Sequence, residues 1–335
     1  EQPILDGIDS VLPEAGLTPA DLEIVIHGTT LATNALIERR GARTAFVTTQ
    51  GFRDVIEMRT ENRFDQYDLD LVLPQPLVPR EDRFVVAGRI GAQGQELAPL
   101  DEAALEQIAH TLAAQDFGAV AIGFLHSYAN PAHEIRAREI LSRHLSLPIS
   151  ISCEVSPQMR EFERFNTVCA NAYVRPQMQD YLTRLRRRLR DKGAACPVFM
   201  IHSGGGLMSV ETAAEFPVRL VESGPAGGAI FAADVARRFG LDRVVSYDMG
   251  GTTAKICLIE DFTPKTARSF EVARGARFAK GSGMPISIPV IEMIEIGAGG
   301  GSIAWVDALG RIQTGPESAG SEPGPACYQR GGQRP

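Results

Sequence analysis

Val244-Val245-Ser246-Tyr247-Asp248-Met249-Gly250-Gly251-Thr252-Thr253-Ala254-Lys255-Ile256-Cys257-Leu258 reads as a strand, a tight Asp-x-Gly-Gly-Thr-Thr turn and a second strand. A Walker loop or a dinucleotide fingerprint needs a helix directly after its glycines. Lys255 to Ile259 carries strand residues instead, so the segment predicts a β-hairpin. Glycines at a hairpin tip leave backbone N–H groups open to phosphate oxygens, and threonine hydroxyls add hydrogen bonds. Gly250, Gly251, Thr252 and Thr253 are therefore candidate phosphate ligands. Asp248, at the end of the first strand, is placed to hold Mg²⁺ directly or through water. The plainer alternative is a tight hairpin in which the aspartate only forms the turn.

Two other glycine-rich segments belong with this one. Upstream, Glu222-Ser223-Gly224-Pro225-Ala226-Gly227-Gly228 leads into a helix predicted over Ala229 to Phe239. Ser223 suits its cap, Pro225 its first turn, and the small residues allow another backbone to approach closely. Downstream, Ile294 to Ile303 runs a strand into four glycines among five residues. A backbone that bare lies flat against a purine or ribose, which makes Gly297, Gly299, Gly300 and Gly301 candidate nucleoside contacts.

Outward from there, strands and helices alternate. Strands are expected at Leu22–His27, Thr44–Thr48, Ala119–Leu125, Ile149–Cys153 and Cys196–His202. Helices are expected at Pro3–Leu12, Leu31–Arg39, Arg53–Met58, Asp101–Gln115 and Pro131–Leu145, with a helical stretch over Pro157–Lys192 interrupted at Pro176. Such alternation argues an α/β architecture with much parallel sheet. Thr60 to Arg83, rich in Pro, Asp and Arg, reads as a surface excursion that contacts substrate or a partner. A division near Gly193 separates residues 1–192 from residues 193–335. The arginine run Arg184 to Arg190 is best read as the solvated end of a helix, where cations suit the dipole.

With 335 residues, 44% hydrophobic and 22% charged, the chain is an ordinary globular one. A formal charge of −7 argues against a nucleic-acid partner, and no apolar run reaches the length of a membrane span. Five cysteines with no C-x-x-C pair suit a reducing, cytoplasmic setting rather than a disulfide framework or a zinc site. The chain begins without Met inside a helical pattern and stops in a loop, so both ends are expected to be cut from something longer.

The order of small-residue helix, Asp-x-Gly-Gly hairpin and later glycine turn resembles the second half of the ATPase fold shared by actin, Hsp70 and sugar kinases. The expected fold class is therefore a two-domain α/β ATPase fold of that kind, with the N-terminal phosphate hairpin lacking from its first domain. Further motifs resemble the hydantoinase A/5-oxoprolinase family: His27 to Ala35, Thr48 to Asp54, Ser127 to Pro131, Glu154 to Pro157, Asn171 to Val174, Ser223 to Gly228, Asp248 to Thr253, Gly297 to Ala304 and Gly324 to Tyr328. The resemblance implies ATP and Mg²⁺ as cofactors and a small cyclic amide (hydantoin or lactam) as substrate, activated by phosphorylation of the amide. Its carboxylase branch implies a ketone instead. It also implies a second, hydantoinase B-type subunit or a fused second half. A nucleotide-driven conformational switch without catalysis is the remaining alternative. Without the first phosphate hairpin and the Thr-Asp-Ala segment of the family, the isolated chain is expected to hydrolyse little ATP.

Three candidate sites lie outside the glycine turns. His27 ends a strand before Gly-Thr-Thr, where α/β sheets present their ligands. It is a candidate catalytic residue, with Thr29, Thr30 and Asn34 as weaker substrate contacts. The competing reading is a histidine satisfied by local structure. Glu154, or one of Arg160, Glu161 and Glu163, is a candidate to orient substrate or water, against surface ion pairing. Lys255 reads as exposed or partner-facing, and Ser203 as a loop former near the cleft.

Overall fold

The computed structural model describes residues 1–61, 63–251, 253–274, 279–320 and 322–333. The helices are α1 (Gln2–Glu14), α2 (Leu31–Ile37), α3 (Val55–Met58), α4 (Glu102–Ala113), α5 (Ala132–Ser142), α6 (Ser152–Val155), α7 (Glu161–Asp191), α8 (Val210–Glu215) and α9 (Ser223–Phe239). Strands β1 (Val25–His27), β2 (Thr44–Thr49), β3 (Arg83–Val86), β4 (Arg89–Ile90), β5 (Glu96–Ala98), β6 (Ala119–Gly123), β7 (Ile149–Ile151), β8 (Val198–Ile201) and β9 (Leu207–Ser209) precede α9. After it come β10 (Arg243–Met249), β11 (Ala254–Glu260), β12 (Thr263–Pro264), β13 (Thr266–Ala267), β14 (Phe270–Val272), β15 (Met284–Ile286), β16 (Val290–Ile291), β17 (Ile294–Ile296), β18 (Ser302–Val306) and β19 (Ile312–Ser318). The chain is α/β, as expected.

Four strands, ordered β3-β2-β6-β7 and all parallel, form the first sheet. Successive side chains of a strand leave on opposite faces, so a sheet covered on both sides must be apolar throughout. β2 and β6 meet that requirement: Val47, Val120 and Ile122 pack under Leu105, Leu112 and Ile140 of α4 and α5, while Phe46, Ala119 and Ala121 pack against Phe165, Val168 and Ala172 of α7. A Cβ at Gly123 would lie 2.6 Å from the Phe165 ring, so only glycine lets α7 sit this close.

Pro176 does not interrupt α7. Proline costs the bond its N–H would make to the Ala172 carbonyl, about 3 kcal/mol in a helix interior. Burial of nearly all of Phe162 to Val174, then of Met178, Leu182, Leu185 and Leu189, outweighs that. At roughly 1.5–3 kcal/mol for each large apolar side chain, four such residues suffice. The arginine run behaves as a solvated helix end. Arg184 and Arg188 pair with Glu1, Arg186 pairs with Glu211, and Leu185 and Leu189 pack on Leu5 of α1.

The second sheet, β1-β8-β9, joins β1 in parallel to β8, so strands from either side of Gly193 share it. Beyond α9, β10 and β11 form an antiparallel hairpin, and β17 pairs with the free edge of β11. α9 lies on one face of this third sheet through Ala226, Ala229 and Ala233 against Cys257 and Ile259. Among the described residues no helix is long and apolar enough to cross a membrane.

Candidate functional site

The hairpin forms as expected, with Met249 opposite Ala254 and the Gly250 N–H donating to the Thr253 carbonyl at 2.9 Å. Thr252 lies outside the described residues. The downstream glycine turn docks directly on it: the N–H of Gly300 donates to the Gly250 carbonyl at 2.9 Å, and that of Gly301 to the Gly251 carbonyl at 2.7 Å. Two segments far apart in sequence thus form one backbone surface. A Cβ on Gly301 would stand 2.3 Å from the Gly320 carbonyl oxygen and 2.8 Å from that of Gly251. The Gly299 N–H donates to Ser302 Oγ at 2.8 Å. Glycine is therefore needed first for backbone-to-backbone contact. The amide donors of Gly299, Gly300 and Gly301 serve the protein; Gly299 and Gly301 are buried, and Gly300 is exposed.

Asp248 sits on the exposed end of β10, beside the turn. Its cross-strand neighbour is Lys255, whose own neighbour on β17 is Glu295. Paired residues in an antiparallel ladder share a face, so Asp248, Lys255 and Glu295 form a row on the side that α9 covers. Lys255 is not exposed, contrary to the sequence reading. Its side chain is 16% accessible, paired with Glu222 and 3.9 Å from Glu295. The signal was available, because Lys255 alternates with Cys257 and Ile259, both buried. Burial raises the pKa of Glu295 and the Lys255 ammonium opposes that shift.

Glu222 holds its carboxylate on Lys255 from a left-handed backbone conformation at φ 63°, immediately before α9. The helix begins at Ser223, six residues before the expected start, so the small residues Gly224, Ala226, Gly227 and Gly228 are its first turns. Ser223 is buried and does more than cap. Its hydroxyl donates to the Thr29 carbonyl at 3.0 Å and accepts from the Thr29 N–H at 3.2 Å. The Glu222 N–H donates to Thr33 Oγ1. Two motif segments, His27 to Ala35 and Ser223 to Gly228, are thereby clamped together.

Within that clamp His27 faces α7: its Nε2 lies 2.8 Å from the Tyr181 hydroxyl, with the rings 6.0 Å apart. Burial lowers its pKa, which favours the neutral imidazole. Thr29 Oγ1 accepts from the Leu31 N–H, the Thr30 methyl packs near Gly224, and the side chains of Thr30 and Asn34 are exposed. Glu154 is paired with Arg138 at 2.7 Å. Arg160 and Glu163, by contrast, line a cavity that also reaches Lys255, Glu222 and Glu295. Ser203 is a tied-down loop residue, donating its hydroxyl to the Pro289 carbonyl.

Two family descriptions match the chain: hydantoinase/oxoprolinase over residues 164–335, and hydantoinase/oxoprolinase N-terminal region over residues 1–145. The chain belongs to the hydantoinase/oxoprolinase family. Within that family it is 38% identical to the caprolactamase subunit alpha of Pseudomonas jessenii, over 99% of this chain and 47% of the relative. It is 32% identical to the 5-oxoprolinase of Saccharomyces cerevisiae, over 91% of this chain and 25% of that one. The crystal structure of the ATP-dependent caprolactamase from Pseudomonas jessenii superposes with a TM-score of 0.83 at 36% identity, covering 99% of this chain and 48% of that one. A nucleotide-free structure of acetone carboxylase does so at 0.75 and 26% identity, covering 96% and 46%. This hydantoinase/oxoprolinase chain spans at most about half the length of these relatives.

Proposed function

We propose that the chain is the ATP-binding part of an ATP-dependent cyclic amidase, in which phosphorylation of a lactam or hydantoin amide makes the ring open. The observation that carries this reading is the joining of the two glycine turns by the Gly300 and Gly301 amides. Such a surface accepts a nucleotide by close backbone approach, as glycine turns do. Gly250, Gly251 and the adjoining threonines are the proposed phosphate contacts. Gly297 and the peptide faces of Gly299 to Gly301 are the proposed nucleoside contacts.

Mg²⁺ fits the residues present, since that ion is commonly held by one or two carboxylates together with nucleotide phosphates and water. Asp248 is exposed beside the turn and is the carboxylate proposed for it. Among the described residues no cluster of three metal-ligating side chains exists, so the ion would come with the nucleotide. His27 and Glu154 remain proposed contributors only where ligand binding frees them from Tyr181 and Arg138. The relative from Pseudomonas jessenii is a subunit alpha, which supports a second subunit or a fused second half as partner.

The likeness to acetone carboxylase favours one alternative, ATP-dependent carboxylation of a ketone on the same glycine turns. Binding of a fluorescent ATP analogue with and without Mg²⁺ tests the shared part. Wild type is expected to bind, Gly251→Val to lose binding, and Asp248→Asn to lose about tenfold of the magnesium-dependent gain. Absence of nucleotide binding by wild type would sink the reading. Turnover with partner present, on caprolactam and hydantoin against acetone with bicarbonate, separates the two chemistries.

A further inference from the structure

A cavity of about 1080 Å³ opens beside the row of Asp248, Lys255 and Glu295, and five carboxylates line it. Three of them are held by the protein. Glu222 is paired with Lys255, Glu271 with Arg274 and the Gly281 N–H, and Glu292 with Lys265 at 3.2 Å. A fourth, Glu163, has its Oε2 buried in the wall. Glu295 is the fifth, and its side chain is 32% accessible. Among the described residues the one cation within 4 Å of it is Lys255, whose Nζ at 3.9 Å is beyond hydrogen-bond reach, and no other donor holds it.

The sheet puts this carboxylate next to the glycine turns. Asp248, Lys255 and Glu295 stand opposite one another on β10, β11 and β17, so the row runs from the hairpin tip to the cavity over two strand spacings, about 10 Å. Glu295 also lies two residues before Gly297. Burial raises its pKa; the Lys255 ammonium opposes the rise, Glu222 adds to it, and Arg274 opposes it. Those three are the charged groups that act on it, from β11, from the residue before α9 and from the segment after β14. A carboxylate that is accessible, bound by no donor and more basic than usual is suited to accept a proton.

We propose that Glu295 is a catalytic base, taking the proton from the atom beside the carbonyl carbon of a molecule in the cavity while the carbonyl oxygen is phosphorylated. The role rests on the function proposed above, which supplies ATP as the phosphoryl donor. For an amide, that atom is the nitrogen. The N–H pair becomes the C=N bond, the carbonyl π pair forms the new bond to the γ-phosphorus, and the bond between that phosphorus and ADP breaks. The proton ends on a Glu295 oxygen and passes to water once the product has left. For a ketone, the Cα–H pair becomes a C=C bond by the same movement. One base therefore serves either chemistry, because phosphorylating a neutral carbonyl compound without losing a proton would leave a cation.

On the 335-residue chain, the infrared C=O stretch of protonated glutamic acid, taken as the difference between wild type and Glu295→Gln, reports the titration of Glu295 directly. It is expected above the usual glutamate value of about 4.3. Lys255→Met should move it higher and Glu222→Gln lower, since the first removes a cation and the second an anion. A titration at or below the usual value overturns the proposal. With the partner present, Glu295→Gln is expected to lose at least about hundredfold in kcat while its affinity for the fluorescent ATP analogue stays within about twofold. Glu295→Asp should recover part of the rate, and wild-type kcat should fall as pH drops through the Glu295 titration. Unchanged kcat in Glu295→Gln overturns the role and leaves the nucleotide reading standing. A wild type that binds no ATP analogue sinks the nucleotide reading itself and this role with it, so the two failures are told apart by the binding assay.

Discussion

The β3-β2-β6-β7 sheet is covered on both faces, whereas the β10-β11-β17 sheet is covered on one face and leaves an apolar face open. Every residue of β2 and β6 is buried, between α4 and α5 on one side and α7 on the other. In the second sheet α9 covers Val244, Cys257 and Ile259. The opposite face carries Val245, Tyr247, Met249, Leu258, Ile294 and Ile296, with Val245 59% and Tyr247 58% exposed. Strand pattern alone therefore says which residues share a face and not whether anything lies on it. The contrast also places the glycine turns on the less enclosed part of the molecule, where a ligand can reach them.

Phe46→Ala should show the contrast most strongly. Phe46 is fully buried and meets Phe165 edge-on at 5.3 Å, so truncation is expected to cost about 3–5 kcal/mol in urea unfolding. A loss under about 1 kcal/mol would mean that the first sheet is not the rigid part.

Gly301→Ala comes next. The new Cβ meets two backbone carbonyl oxygens that cannot move aside cheaply, with an expected cost of about 1–3 kcal/mol. Nucleotide affinity should fall with it, because the two turns must separate. Retained affinity with full stability would show that the docking of the turns is dispensable.

The pH dependence of stability is a smaller effect. Burial lowers the pKa of His27, so its contribution is present above about pH 6.5 and is lost as pH falls through the lowered folded value. His27→Gln should flatten the stability curve over that window, measured by denaturant midpoints between about pH 5 and 7.5. An unchanged slope would remove His27 as the titrating group. Least of all, Tyr247→Ser on the open face should change stability by no more than about 0.5 kcal/mol. A loss near that of Phe46→Ala would mean the face is covered in solution.

Much of this was legible in residue order. Asp248 to Thr253 announced a hairpin because strand residues, not helix formers, follow its glycines. The strand expected over Ala119–Leu125 and the helix expected over Asp101–Gln115 return as β6 and α4, and Asp101 Oδ1 accepts from the Ala104 N–H at 3.0 Å. The chain's own motifs carried the family. Less legible were the places where distant segments compete for one group. Pro176 looked like a break because the cost of a missing N–H is local, while the burial that repays it comes from β6 and its neighbours. Gly299 to Gly301 looked like bare backbone for a nucleoside because the carbonyls that take the Gly300 and Gly301 amides lie on the distant hairpin turn.

By itself, then, the sequence determined the local elements, the α/β class, the hairpin and the family. Each rests on propensity, periodicity or motif order, which neighbouring residues set. Tertiary structure alone decided that the Gly300 and Gly301 amides close onto the hairpin and that His27 turns to Tyr181. It also drew Lys255 between two glutamates. Those outcomes depend on which groups far apart in the chain come within hydrogen-bond reach, and on how much water burial removes from them.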